Sequence, residues 1–346
     1  MRRRALSLAP ALPSANWPWA VAALAAAVLL SFMVGRFPLP PATVLAVLAG
    51  QVLPLDPTWS PQAATVVLAI RLPRIAAAML VGAALSASGA AYQGIFRNPM
   101  VSPDILGVSA GAGFGAALAI LMGLGGVGIQ ACAFAGGLLA VGATYLVAAW
   151  RRRPGDSVLV LVLGGIIVGM VFHALVALVK YVADPANTLP AITFWLMGSL
   201  ASVGRRDLAA MAPPVLAGLA VLTLLRWRLN VMSFGDDEAR SLGADVGRTR
   251  LVVVVCATLM TASAVAVSGV VALVGLVVPH LARMLVGPNY RALLPVSAVL
   301  GALFLLLVDD LARSLVAGEI PLGILTALFG APFFLALLLG GRKGWA

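Results

Sequence analysis

This sequence predicts an all-α, polytopic membrane protein with about ten transmembrane helices and an inverted internal repeat. Of its 346 residues, 62% are hydrophobic and only 10% are charged. The apolar residues gather into runs too long for ordinary core helices. A run of eighteen or more apolar residues nearly free of charge is long enough to cross the hydrocarbon of a bilayer. There every backbone group must be paired within the protein, which leaves helices or a closed barrel. These runs lack the polar–apolar alternation of barrel strands.

The spans read in order as 18–35, 74–95, 105–122, 128–150, 157–182, 207–226, 249–268, 270–286, 291–315 and 321–340. The first follows "MRRR" and resembles a signal peptide. Its length, and the lack of a small-x-small site before Arg36, make it a retained helix instead. That leaves residues 1–17 as a tail and 18–346 as one membrane domain. In "VSPDILG", Ser102 is an N-cap candidate, Pro103 suits the first helical position and Asp104 the positive first turn. Gly107, Gly111 and Gly115 then stand four apart as a ridge for close helix packing. "GVSAGAGFG" is no dinucleotide loop, because its glycines are misspaced and no strand precedes them. The repeat is carried by "SASGAAYQGIFRNP" (86–99) and "AVSGVVALVGLVVP" (266–279). Both run Ser-Gly, a later Gly, then Pro, and the spans leading into them cross in opposite directions.

Charge sets the orientation. Sixteen of the 23 Lys and Arg fall in one set of loops and tails and seven in the other, so the richer set, with both termini, faces the cytoplasm. The net charge of +11 follows from that retention and does not indicate nucleic acid. Cys132 and Cys256 stand alone in apolar segments, where neither a disulfide framework nor a metal site is expected.

Several chemistries are excluded. The only lysines, Lys180 and Lys343, do not follow glycine, so no G-x-x-x-x-G-K-[ST] phosphate loop exists. Any ATP-driven work needs another polypeptide. "SASG" and "AVSG" lack the first glycine of a G-x-S-G nucleophile, and "DDLAR" lacks the last acid of a D-D-x-x-D metal motif. The carboxylates fall at span ends or in loops, which argues against an ion-driven secondary carrier. His173 is the one titratable residue well inside a span. It either lines a path or hydrogen-bonds a neighbouring helix, and Lys180 snorkels to the interface.

Two constellations break the apolar pattern. "GDDEARSLGADVGRTR" (235–250), in the cytoplasmic loop 227–248 and the start of the next span, holds four of the chain's 12 acids. Asp236 reads as an N-cap, with Asp237 and Glu238 in the first turn of a short helix that Gly243 ends. Asp245 caps a second short helix leading into the next span. Acids contribute little to orientation, so a capped, mixed-charge element on the membrane surface suits docking to a soluble protein. In "RLPRIAAAML" (71–80), Pro73 marks a helix start. Arg71 and Arg74 would then oppose the helix dipole on the outer side, which calls for carboxylates on an outside partner or for lipid phosphate. Arg313, also outward, can pair with Asp309 along its helix.

These residues carry a resemblance. "RLPR" (71–74), "GAALSASGAAYQGIFRNPMVSPDILGVSAGAGFGA" (82–116), "FWLMGSL" (194–200), "DDEARSLGADVGRTR" (236–250), "VSGVVALVGLVVPHLAR" (267–283) and "EIPLGILTALFGAPFFLALL" (319–338) resemble, in order, the FecCD-type permeases. These are the membrane subunits of binding-protein-dependent ABC importers for iron-siderophores, haem and cobalamin, in the bacterial inner membrane. The resemblance implies a permease subunit, not an enzyme. It binds no cofactor of its own, and ATP-Mg sits on a partner ATPase dimer. Asp236, Asp237, Glu238, Ala239, Arg240, Leu242 and Gly243 would couple to that ATPase, although Glu238, Ala239 and Gly243 match the E-A-A…G loop of other importers only partly. Arg71, Arg74 and Arg313 would dock the substrate-binding protein. Gly164, Gly165, Gly169 and His173, on the helix over 157–182, would line the path against a second permease copy, and "RRRPGDS" would lie near the gate. Ferric siderophore is the expected cargo, with haem, cobalamin or an oxyanion such as molybdate as alternatives.

Overall fold

In hydrocarbon a backbone carbonyl has no water to turn to, and the described chain is accordingly almost entirely helical. A computed structural model describes residues 17–35, 37–54, 56, 58–150, 157–316 and 318–339. The helices are α1 (Pro18–Ser31), α2 (Pro41–Ala49), α3 (Pro61–Thr65), α4 (Leu72–Ile95), α5 (Val108–Leu121), α6 (Gly126–Trp150), α7 (Ser157–Val182) and α8 (Thr188–Met197). They continue with α9 (Arg205–Leu224), α10 (Arg226–Met232), α11 (Asp236–Ser241), α12 (Val246–Ser268), α13 (Val274–Val286), α14 (Tyr290–Ser314) and α15 (Leu322–Leu339). Among the described residues six helical stretches are long and apolar enough to cross a membrane, and five shorter apolar helices accompany them. Each of the ten spans read from the sequence holds one of these helices, and α8 is the additional apolar helix.

The interior is built on α4 and α12, whose side chains are buried along most of their lengths. α4 packs against α14, α12 and α13, and α12 also packs against α9 and α6. Small residues allow the closest crossings. A Cβ at Gly82 would lie 2.1 Å from the Gly301 carbonyl oxygen, and one at Gly111 would lie 2.2 Å from that of Gly136. Backbones in direct contact gain dispersion energy where lipid offers no hydrophobic drive.

Three local expectations are corrected. First, Arg71 and Arg74 do not start a helix. α3, a π segment (Val66–Arg71) and α4 form one run over Pro61–Ile95. Proline would clash with the carbonyl four residues back, and here the π turn precedes it, with Leu72 N–H donating to the Val67 carbonyl. The dipole penalty therefore does not apply. Second, Ser102 makes no side-chain cap. It precedes a 3₁₀ turn (Pro103–Leu106), and Gly107, at φ 84°, reverses the chain before α5 begins. Gly111 and Gly115 form the ridge, without Gly107. Third, the two halves of the sequence echo differ in conformation. Residues 86–95 are helical, whereas 269–273 interrupt the helix between α12 and α13. The two segments touch, since a Cβ at Gly89 would lie 1.8 Å from the Gly275 carbonyl oxygen.

Candidate functional site

The side chains singled out in the sequence fall in a cavity lined by α7 and at the two opposite ends of α4 and α14. The cavity, about 660 Å³, lies between α7, the 3₁₀ turn, the start of α5, and the 269–273 break with the first turn of α13. It exists because helices stop there. Ser199 N–H donates to the Ser268 carbonyl at 2.8 Å, and Leu322 N–H to the Gly198 carbonyl at 2.9 Å. The ends of α8, α12 and α15 thus satisfy one another at depth. Gly165, Gly169 and His173 line the cavity, while Gly164 faces Thr144 and Val147 of α6. Gly165 is a close approach, because a Cβ there would sit 2.1 Å from the Ile105 carbonyl oxygen. His173 is exposed to the cavity, within electrostatic reach of the Asp104 carboxylate on the same lining. The remaining polar lining is Ser102, Asp104 and Ser109, the last two hydrogen-bonded to each other. Beyond the cavity α7 leaves apolar side chains uncovered, among them Ile167 (61% exposed) and Val171 (54%).

At one end stand the short helices. Gly235, at φ 141°, is the N-cap of α11, and Asp236 is its first helical residue, not its cap as expected. The Asp236 carboxylate is free of that role and receives Arg250 Nη2 at 3.0 and 2.9 Å. Arg250 lies one turn into α12 and is buried. Ala239 is fully buried beneath α11, whereas Asp237, Glu238, Arg240 and Leu242 are exposed. Gly243, at φ 81° with nothing within 4 Å of its missing Cβ, closes α11 as the sequence suggested. Asp245 caps through a bond from Arg248 N–H at 2.9 Å, but the helix it caps is α12 itself, with no separate second helix. The sequence reading missed α10, whose Leu229 and Met232 bury at i, i+3 spacing and seat the platform on α4 and α14. The stretch 151–156 lies outside the described residues.

Roughly 30 Å away along α4, at 1.5 Å per residue, lie the arginines expected to be open to an outside partner. All three are buried. Arg74 donates through Nε and Nη2 to Asp309 at 2.9–3.1 Å, and through Nη1 and Nη2 to Glu319 at 2.7 and 2.9 Å. Arg71 donates to the Phe32 and Phe37 carbonyls. Arg313 donates to the carbonyls of Val34 (2.7 Å) and Ser31 (2.8 Å) and pairs with Asp310; its Nε is 3.7 Å from Asp309. The carboxylates that the sequence argument sought outside are thus supplied by the chain itself, and the pairing of Arg313 with Asp309 is present. Burial explains why: a desolvated guanidinium must be surrounded by acceptors. Asp309, fully buried, is also the carboxylate that a reading by span ends did not expect inside the protein.

Known proteins share this architecture. A solved inward-facing conformation of an ABC transporter assigned to the metal-chelate type superposes with a TM-score of 0.83 and 38% identity, covering 93% of this chain and 98% of that one. The molybdate import system permease of Haemophilus influenzae is 42% identical over 280 residues, 81% of this chain and 82% of that protein. The cobalamin import system permease of Halobacterium salinarum is also 42% identical over 280 residues, 80% of this chain and 74% of its own. The hemin transport system permease of Yersinia pestis is 39% identical over 282 residues, 79% of this chain and 83% of that protein. The FecCD transport family model matches residues 23–340, nearly the whole described chain from α1 to α15. The chain belongs to the FecCD transport family.

Proposed function

We propose that this permease subunit of a metal-chelate-type ABC importer works as one of two copies around a shared path, driven by an ATPase dimer through α11, with ferric siderophore as cargo. The observation that carries the coupling role is the tie between Asp236 and the buried Arg250. A load on the exposed face of α11 passes directly into α12, which is packed on α4, α5, α6 and α9. A binding protein would settle at the opposite end, on the rim that the Arg71, Arg74 and Arg313 cluster organises. Rigid helices between the two ends let docking on one side bias opening on the other.

The cavity lining supports a bulky, largely apolar chelate over a small oxyanion. Among the described residues its lining holds one carboxylate and one histidine, and no lysine or arginine. A dianion entering hydrocarbon depth would need cations to offset its desolvation. The apolar face of α7, with Ile167 and Val171 uncovered, is where a second copy would close the path. The richer set of basic loops supports cytoplasmic termini.

The test is reconstitution with the cognate ATPase and binding protein in proteoliposomes. ATP-driven uptake of a ferric siderophore should exceed that of haem, cobalamin and molybdate. Preferential molybdate uptake would overturn the cargo reading, and uptake without the ATPase would overturn the coupling reading. Gly243→Pro should lower both ATPase co-purification and uptake, since the 81° φ at this position lies outside the range proline can adopt.

A further inference from the structure

A second cavity, of about 620 Å³, opens at the α11 end of the molecule between the C-terminus of α4, α10 and the α13–α14 connection. Its lining includes Arg97, His280 and Arg283 and no carboxylate. The Arg97 side chain makes no hydrogen bond or ion pair among the described residues and is exposed, while its N–H donates to the Gly94 carbonyl at 3.2 Å. Its backbone is held at φ 49° by the turn that ends α4, where Asn98 N–H returns to the Gln93 carbonyl at 3.2 Å. Glycine usually takes that position, so an arginine there bears a conformational cost. Arg283 is half-buried, donates one Nη2 hydrogen to Gln93 Oε1 at 3.1 Å and also bonds the Tyr290 side chain, which leaves its other guanidinium donors on the cavity lining. The walls are already fixed. Asn230 and Asn289 bond each other and the first turn of α14, and the Tyr290 hydroxyl donates to the Ala90 carbonyl at 2.8 Å. Glu238 stands across Gly235 from Arg97 without forming an ion pair with it.

We infer that this cavity is a binding site for a phosphate group, carried by an anionic lipid headgroup or present as free phosphate. Two guanidiniums and an imidazole around a pre-shaped hollow match a multiply charged oxygen acceptor. A basic pocket where helices emerge from the bilayer is where an anionic headgroup resides. Phe234, 72% exposed, lines it with apolar surface suited to the first methylenes of an acyl chain. The site is separate from the cavity lined by α7 and does not depend on which chelate is carried.

The experiment uses the full-length chain in phosphatidylcholine nanodiscs. In the first arm phosphatidylglycerol is mixed in and the lipid retained on release is counted by native mass spectrometry. Phosphatidylglycerol should be retained in preference to phosphatidylcholine, and Arg97→Gln should weaken that preference roughly tenfold, the loss of one charge-assisted contact. In the second arm inorganic phosphate is titrated into phosphatidylcholine-only nanodiscs; a rise in the unfolding midpoint that Arg97→Gln abolishes identifies free phosphate as the source. Arg97→Gly removes the side chain while relaxing the turn, so it should lose phosphate recognition without losing thermal stability. Flat results in both arms overturn the site. So does a phosphatidylglycerol preference undiminished in both variants, including the case in which those variants lower ATPase co-purification and the cavity is a protein-docking groove.

Discussion

Replacing Asp236 with alanine should unlatch α11 from α12. The pair is two-sided: both carboxylate oxygens lie within 3.0 Å of Arg250 Nη2, with 9% of the Arg250 and 24% of the Asp236 side chain exposed. Fully buried pairs cost about 3–5 kcal/mol when one partner is deleted, and exposed pairs cost about 0–1 kcal/mol. A carboxylate one-quarter exposed falls between, at about 2 kcal/mol, or roughly a thirtyfold shift toward the detached platform. The rest of the helical frame does not use this contact, so the thermal midpoint of the purified chain should fall by only a few degrees. ATP-driven uptake in proteoliposomes should fall by at least tenfold, while ATP hydrolysis by the assembled complex falls less, so that fewer molecules are carried per ATP. Arg250→Met should behave alike, and the double variant should be no worse than the poorer single one. An unchanged ratio of uptake to hydrolysis in Asp236→Ala would refute transmission through this contact.

Other substitutions separate neighbouring roles. Asp309→Leu leaves Arg74 and Arg313 buried with fewer acceptors and should cost about 3–5 kcal/mol, seen as loss of folded protein on size exclusion. Glu319→Gln, at a side chain 27% exposed, should cost about 1 kcal/mol and leave the fold intact. Gly165→Ala puts a methyl group 2.1 Å from the Ile105 carbonyl oxygen, whereas Gly169→Ala meets nothing closer than 3.9 Å. The first should depress uptake severalfold and the second should be nearly silent in the same transport assay. Gly111→Val, forced against the Gly136 carbonyl at 2.2 Å, should separate α5 from α6 and lower the detergent-solution unfolding midpoint by several degrees.

Helix existence was legible because hydropathy is a summed, local property, and each predicted span acquired a helix. The glycine ridge at Gly111 and Gly115 and the stop at Gly243 were legible for the same reason, since one residue without a side chain settles each. What escaped were pairings across the chain. Nothing near Arg74 announces Asp309, 235 positions away, and an arginine read only against its sequence neighbours looks unpaired. The misjudged start of α4 came from Pro73, which suits the first turn of a helix but here follows a π turn within a longer run. The role of Asp236 was misassigned by a single position, enough to turn a cap into one half of an ion pair. The cavity was invisible because it is defined by where α8, α12 and α15 stop, and stops at membrane depth depend on main-chain bonds that composition does not encode.

Those stops have a consequence for how cargo preference can change. The junction of α8, α12 and α15 is joined by the Ser199–Ser268 and Leu322–Gly198 main-chain bonds, which need glycine at 198 and 269 but use no side chain of the cavity wall. Leu196 and Val270, whose side chains form nearby wall, could therefore be exchanged for larger, smaller or more polar groups while the scaffold holds. With the cavity as the proposed path, such a partition would let one architecture be retuned to new passengers by surface recolouring of its lumen, without rebuilding the vault around it.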